Sequence, residues 1–417
     1  MRGLGIVLGG LVVAIIGINF GCSNATSPYG SSPKPFPPLT STEQKVESAG
    51  NSFATTLFNE VANQEQGKNF FISPLSVSMA LSMTLNGASG ETYTDMQQTL
   101  GLTGLSNQQI NQSYRNLMAI FAALDPNVTF DIANSIWFRN TFSVLNSFIA
   151  VDSTYFDAKA SALDFNDPNS ANVINSWVSE KTYGKIPSVI QPPIPASVMV
   201  YLINALYFHG TWKYRFDYEN TKPGTFYLPD GSTESDSMMA MSDTLDYYSD
   251  ESFKAVELPY GNGDYSMLLL LPATALTSTN PIPLLDQKEL NAIIDGLKPV
   301  SVDLTLPKFK LQYSADFVKV LSQMGMSNAF SPAADFTRIN PAGTLTISSV
   351  LHKTYIHVDE AGTEAAAVTG VGVGTTVVVR SLKVEVNRPF IFLIKENHDN
   401  TIMFMGSITR PGLQVSN

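Results

Sequence analysis

Apolar residues recur every three or four positions over Val46, Ala49, Phe53, Leu57 and Val61. That spacing predicts an amphipathic helix, and Ser41 with Gln44 makes a candidate capping box at its start. Ser73-Pro74 opens a second helix whose face carries Val77, Leu81 and Leu85, and Gly87 stops it. Weaker helical patterns cover Asn107–Leu124 and Asn169–Thr182. Period-two alternation then takes over: Val300, Val302, Leu304 and Leu306 alternate with polar residues until Pro307. Tyr265 to Leu271 is continuously apolar, as expected of a strand buried on both faces. Phe390–Ile394 and Ile402–Met405 are two more such runs, joined by a polar loop at residues 395–400. The tally is a helix-rich first half and a strand-rich second half, an α+β chain without internal repeats.

The first residues read differently. Arg2 is followed by an apolar run from Leu4 to Ile18, too short for a membrane span and laid out as a secretory signal. It ends at Gly21-Cys22, and Cys22 is the only cysteine. This resembles a bacterial lipoprotein signal, in which the cysteine becomes the lipidated first residue, although Asn19 and Phe20 stand where aliphatic and small residues are preferred. Residues 1–21 are thus expected to be a signal peptide. Residues 22–42, rich in Pro and Ser, are expected to form an extended tether holding a body at 43–412. The expected location is outside the cytoplasm, lipid-anchored to a bacterial membrane or cell surface, in the periplasm or extracellular.

Composition narrows the chemistry. The 417 residues are 44% hydrophobic and 15% charged, a globular balance. The net charge is −11, which argues against a nucleic-acid partner. One cysteine excludes an intrachain disulfide. The four histidines, His209, His352, His357 and His398, form no close ligand pair, so no metal and no cofactor are expected. No Gly-x-Ser-x-Gly elbow is present. Gly370-Val371-Gly372-Val373-Gly374 lacks the spacing and the Lys-Ser/Thr of a phosphate loop and runs into Thr375-Thr376-Val377-Val378-Val379 rather than a helix. Asn127-Val128-Thr129 matches a glycosylation sequon and reads here as a turn. The chain is not expected to be an enzyme.

The unusual stretch is Glu360 to Val379, long for a loop and mixed in character. Read with period two from Thr363, one face shows Thr363, Ala365, Ala367, Thr369, Val371, Val373 and Thr375, all small or β-branched and uncharged. The other shows Glu364, Ala366, Val368, Gly370, Gly372 and Gly374. Such a segment could be a flexible low-complexity loop, or a loop held outside a sheet that can become a central strand.

Glu360 to Ala367 resembles the hinge at the start of the reactive loop of the serpin family. Further matches run through residues 43–412 in family order. They include Asn69 to Ser76, Asn175 to Val178, Leu202 to Trp212, Leu258 to Tyr260, Leu306 to Phe309, Ala334 to Thr337, Ser349 to Lys353 and Asn387 to Phe392. The resemblance implies one domain of three β-sheets and about nine helices with an exposed reactive-centre loop, here about residues 360–382.

It also implies a function: a serine protease inhibitor acting as a suicide substrate. The protease forms an acyl-enzyme on the loop. The loop then inserts into the main sheet and the protease is trapped as a covalent acyl complex. Sixteen inserted residues at about 3.3 Å each span roughly 50 Å. By the resemblance the hinge is Glu360, Gly362, Thr363, Glu364, Ala365, Ala366 and Ala367. The gate, or breach, above the sheet is Trp212, Lys308 and Glu360. The polar cluster where the strands part, the shutter, is Ser73, Ser76, Asn204 and His352. Counting Glu360 as the first, the seventeenth residue precedes the cut, which puts the reactive bond at Thr376–Val377. Thr375 and Val378 are its neighbours and Arg380 is the alternative. Small uncharged residues suit elastase-like or subtilisin-like pockets, whereas Arg380 would suit a trypsin-like enzyme. The alternatives are inhibition of cysteine proteases, a serpin-fold surface binding protein that does not inhibit, and a lipoprotein that captures nutrients or adheres to hosts. A monomer is expected, touching a membrane only through its lipid.

Overall fold

The computed structural model describes residues 36–274, 282–343, 345–363 and 381–412. They belong to one compact unit, Pro35–Asn417; the other unit, Met1–Lys34, lies outside the described residues together with the expected signal peptide and Cys22. The helices are α1 (Ser41–Gln64), α2 (Pro74–Leu85), α3 (Gly90–Thr99), α4 (Asn107–Leu124), α5 (Asn146–Phe156), α6 (Ser170–Lys181), α7 (Gln287–Asp295) and the single turn α8 (Val318–Leu321). The first strands are β1 (Phe70–Ile72), β2 (Val128–Arg139), β3 (Lys159–Leu163), β4 (Val200–Thr211), β5 (Lys222–Tyr227), β6 (Thr233–Ser249), β7 (Phe253–Tyr260) and β8 (Tyr265–Pro272). After them come β9 (Lys298–Pro307), β10 (Phe309–Asp316), β11 (Val350–Val358), β12 (Gly362–Thr363), β13 (Leu382–Glu385), β14 (Phe390–Glu396) and β15 (Ile402–Ile408).

The expected α+β class holds. Eight α-helices stand among the described residues, and the strands hydrogen-bond into two sheets rather than three. One is ordered β10-β11-β12-β4-β2-β3. The other runs β1-β15-β14-β8-β7-β6-β9-β13, with β5 on β6. The merger has a local cause. β6 is 17 residues long; Thr233–Met238 pairs with β5, Met238–Tyr247 with β9 and Asp246–Ser249 with β7, so one strand fuses two layers.

Three boundaries differ from the sequence reading. The capping box of α1 is Thr40 with Glu43, one residue earlier than Ser41 with Gln44: Glu43 N donates to Thr40 Oγ1 and Thr40 N to Glu43 Oε2 at 2.7 Å. A carboxylate at the third helical position caps better than the amide of Gln44, because the helix N-terminus is positive. Packed structure also begins inside the stretch read as tether. Phe36 stacks on His398 with ring centroids 4.6 Å apart, and Leu39 packs on the core. Finally, the first half is not only helical, since it supplies β2 and β4, the two 12-residue strands at the middle of the six-stranded sheet.

Two apolar layers position the site. The main core lies on the inner face of the six-stranded sheet and is filled by α1, α2, β8, β14 and β15. Every residue of α2 is buried, which suits a helix apolar on most sides, with the hydroxyls of Ser76, Ser78 and Thr84 bonding back to carbonyls one turn earlier. On the outer face α6 covers only part of β2 and β4, packing Ile174, Trp177 and Val178 on Trp137, Tyr201 and Ile203. Farther along β4 the outward residues Tyr207, His209 and Thr211 are half-exposed.

Candidate functional site

β4 and β11 run parallel, but they pair directly only over Leu202–Ala205 and Val350–Lys353. At their far end β12 sits between them, antiparallel to both: Thr363 is opposite Val358 on one side and Gly210 on the other, and Gly362 opposite Thr211. Residues 206–209 of β4 and 354–357 of β11 lie between these two zones, with no ladder joining them. The sheet is zipped below, held apart above, and occupied at its mouth by the first residues of the unusual segment.

The side chains explain why β12 sits there. Asp359 forms a turn, its Oδ1 accepting from Ala361 N at 2.9 Å and Gly362 N at 3.3 Å. Gly362 has φ +154°, and a Cβ there would stand 2.1 Å from Gly210 O, so only glycine fits against β4. Thr363 faces inward and is buried, sharing a 2.6 Å hydrogen bond with the Tyr260 hydroxyl. Tyr260 in turn stacks on Trp212 at 4.4 Å, and Trp212 Nε1 donates to Asp359 O at 2.9 Å.

Glu360 is 2% exposed and accepts from Lys308 Nζ at 2.8 Å and Thr221 Oγ1 at 2.7 Å. Burial works to raise its pKa, but these hydrogen bonds and the lysine's charge hold it below the ordinary carboxylate value. Trp212, Lys308 and Glu360, assigned together by resemblance, are therefore one contiguous cluster. Tyr260, Thr221 and Asp359 complete it. Sequence reasoning quoted Tyr260 only as part of a motif and overlooked the other two; Asp359, three residues before Gly362, was the available turn signal.

The second cluster lies where β4 and β11 are zipped. His352 is opposite Asn204, which is opposite Asn134 on β2. Ser73 N donates to His352 Nε2 at 3.1 Å, Ser73 Oγ to Met403 O at 2.8 Å and Ser76 Oγ to Ser73 O at 3.1 Å. Asn204 Nδ2 donates to Asn134 Oδ1 at 2.7 Å. Burial pushes His352 down to about 3, so it is a neutral imidazole with its proton on Nδ1. Among the described residues, His352 Nδ1 and Asn204 Oδ1 are buried with no hydrogen-bond partner. Ser73, Ser76, Asn204 and His352 thus lie together in one buried cluster.

Of the hinge, Glu360, Gly362 and Thr363 are described, and Glu364, Ala365, Ala366 and Ala367 lie outside the described residues. So do Thr375, Thr376, Val377, Val378 and Arg380. Among the described residues no group of three or more His, Cys, Asp or Glu could hold a metal ion, and no helix is long and apolar enough to cross a membrane.

The family model described as serpin (serine protease inhibitor) matches residues 48–411. The chain belongs to the serpin family. Its curated relatives include the leukocyte elastase inhibitor of Bos taurus, 32% identical over 379 residues, covering 88% of this chain and all of that one. Intracellular coagulation inhibitor 2 of Tachypleus tridentatus is 33% identical over 372 residues, covering 88% of this chain and 91% of that one. Among solved structures, the thermophilic serpin tengpin in its native state superposes with a TM-score of 0.81 at 30% identity, covering 92% of this serpin and 97% of that chain. Human thyroxine-binding globulin also gives 0.81, at 27% identity, over 89% of this serpin and 99% of that chain. Serpins are inhibitors whose partners are proteases, and these relatives are named as such: an elastase inhibitor and a coagulation inhibitor.

Proposed function

We propose that this serpin inhibits serine proteases as a suicide substrate. A protease serine attacks the carbonyl carbon of Thr376, the bond to Val377 breaks, the amine leaves with a proton, and an ester joins Thr376 to the protease. The freed segment then inserts between β4 and β11 and carries the protease along the sheet before water can hydrolyse the ester.

One observation carries the reading: β12 already lies between β4 and β11 in a fixed register. Continued along the chain, that register puts Ala365 opposite Ile356 and Phe208, and Ala367 opposite Thr354 and Leu206. These are inward positions beside a filled core, where only small side chains fit. Thr369 falls opposite His352 and Asn204. Its hydroxyl can accept from His352 Nδ1 and donate to Asn204 Oδ1, the atoms of this cluster that are buried without a partner among the described residues.

Small residues at Thr375–Val378 favour elastase-like or subtilisin-like targets, in keeping with the relative named an elastase inhibitor. The apolar leader and Cys22 favour export and lipid anchoring on a bacterial surface, with the body acting as a monomer. The test mixes the protein with an elastase, a subtilisin and a trypsin, followed by denaturing gels and the mass of the released C-terminal peptide. A denaturant-stable complex and a peptide starting at Val377 are expected; a start at Ser381 would move the cut to Arg380. Cleavage by all three without complex, and with unchanged melting, overturns inhibition.

A further inference from the structure

Tyr260 belongs to one sheet and reaches into the other. It ends β7 in the nine-stranded sheet, opposite Tyr265 of β8. Its backbone is tied on both flanks to the end of β4. Tyr260 bridges to Trp212, Lys213 N donates to Pro259 O at 2.9 Å, and Gly261 N donates to Thr211 O at 2.8 Å. The ring is enclosed as well. It stacks on Trp212, stands edge-on to Phe208 at 5.1 Å, and lies so close to Gly210 that a Cβ there would stand 2.9 Å from it. The hydroxyl therefore has a fixed place inside the mouth of the six-stranded sheet. Tyr260 and Thr363 are both buried, and among the described residues neither hydroxyl has another partner. Burial pushes the tyrosine pKa up, so the two groups meet as neutral hydroxyls.

β12 is two residues long and one of them is glycine, so backbone pairing alone specifies its register weakly. The close approach of Gly362 to Gly210 O excludes residues with a Cβ from that spot. Exclusion is half of the specification, and the hydroxyl supplies the attractive half. A slip of one residue would turn Gly362 toward Tyr260, and a slip of two would turn Ala361. Neither can bond to it, and the tyrosine would be left as a buried hydroxyl without a partner. Resting on the inhibitory reading above, we infer that Tyr260 is a positioning residue whose hydroxyl sets the register of β12 through Thr363, and so fixes where strand insertion begins. It does no chemistry on the scissile bond. Insertion races hydrolysis of the ester, and a β12 already in register needs no search before the strand starts to zip. A slower start releases cleaved inhibitor in place of complex.

The test compares Y260F, T363V and the double variant in the full chain. Each single change strands one buried hydroxyl, whereas the double replaces both by apolar groups of similar shape, which costs little. Each single variant should melt about 1 to 3 °C below the intact parent, and the double should recover to within about 1 °C. The second readout uses whichever of an elastase, a subtilisin and a trypsin the parent traps. The ratio of complex to cleaved product should fall roughly five- to tenfold in each single variant and return to within about twofold in the double. A double variant that loses as much as both singles together means independent packing roles and overturns the pairing. Recovery in melting with an unchanged ratio in the singles overturns the positioning role. A parent that traps none of the three, and melts no higher once cut, overturns the inhibitory reading and the role in insertion with it; the melting of the four intact chains then still decides whether the two hydroxyls set the register. Should Y260F fail to fold, T363V against the parent decides.

Discussion

Glu360 shows how one buried charge holds the mouth of the sheet. It joins Lys308, Thr221 and, through Phe216 N donating to its carbonyl at 3.1 Å, the segment after Trp212. Glu360→Ala strands the lysine and the hydroxyl. Because the Lys308 side chain is 34% exposed, water recovers part of the loss. The expected cost is about 1 to 3 kcal/mol, below that of breaking a fully buried pair. It is checked as a lower melting temperature at fixed scan rate, together with faster cleavage of the loop by trace protease. Glu47 makes the opposite case. Burial, with Asp399 and Glu396 nearby, pushes its carboxyl up to about 8. It stays protonated in the folded state while the unfolded chain ionises, so its stabilising contribution is complete at low pH and is lost as pH rises from about 4.5 through 8. Glu47→Gln should therefore raise the melting temperature by about 2 to 4 °C at pH 8 and leave it unchanged near pH 5.

At the scale of elements, regular periodicity was legible and its interruption was not. α4 begins and ends where the spacing predicts, and Ser73 caps α2 with Pro74 in its first turn. β2 escaped because Asp131, Asn134 and Ser135 break its apolar pattern; Asn134 serves the polar cluster and Asp131 the aromatic face, demands that only the assembled sheet reveals. The fusion of two sheets through β6 was equally hidden, since pairing partners are not written in a strand's own residues. Within the site, the family motifs located both clusters, but not Tyr260 as the hydroxyl that receives Thr363, nor the presence of Gly362–Thr363 already within the sheet. That register makes a prediction about an element not yet formed. Thr369→Val keeps shape and strand preference but removes the hydroxyl due to meet His352 and Asn204. The intact protein should melt as the parent does, whereas the loop-cleaved protein should lose about 1 to 3 kcal/mol of its added stability, as two buried polar atoms stay unpaired. Scanning calorimetry of both forms checks it, and equal losses in both would mean that the register is wrong.

At the scale of the whole molecule, the pairing in the middle of one sheet is what insertion would change. Among the described residues β4 and β11 share a four-residue ladder, and beyond it their facing edges meet the two residues of β12. A strand entering the full gap exchanges that short ladder for two long ones. If it adds on the order of ten hydrogen bonds, each worth about 1 kcal/mol net, the gain is roughly 10 kcal/mol before any apolar burial by the inward face. Ordering the loop opposes this, at a conformational cost of about 1 to 2 kcal/mol per residue, and the buried backbone and side chains must outweigh it for insertion to proceed. In the uncut chain the segment is tethered at both ends, by β12 and by β13, where Leu382 to Glu385 pair in parallel with Val302 to Thr305. A strand running from the first anchor down the length of β4 cannot also return to β13 within the same residues, so the proposed insertion requires the loop to be cut first. Cutting the loop removes the second anchor. The cleaved protein should then melt higher than the intact one by on the order of 20 °C, the size of shift that 5 to 10 kcal/mol of stabilisation produces. Calorimetry before and after limited elastase digestion reads it directly. A cleaved protein that melts at the same temperature as intact protein or below it would mean that the gap between β4 and β11 never opens, and that β12 is a fixed cap on the sheet instead of the start of a strand.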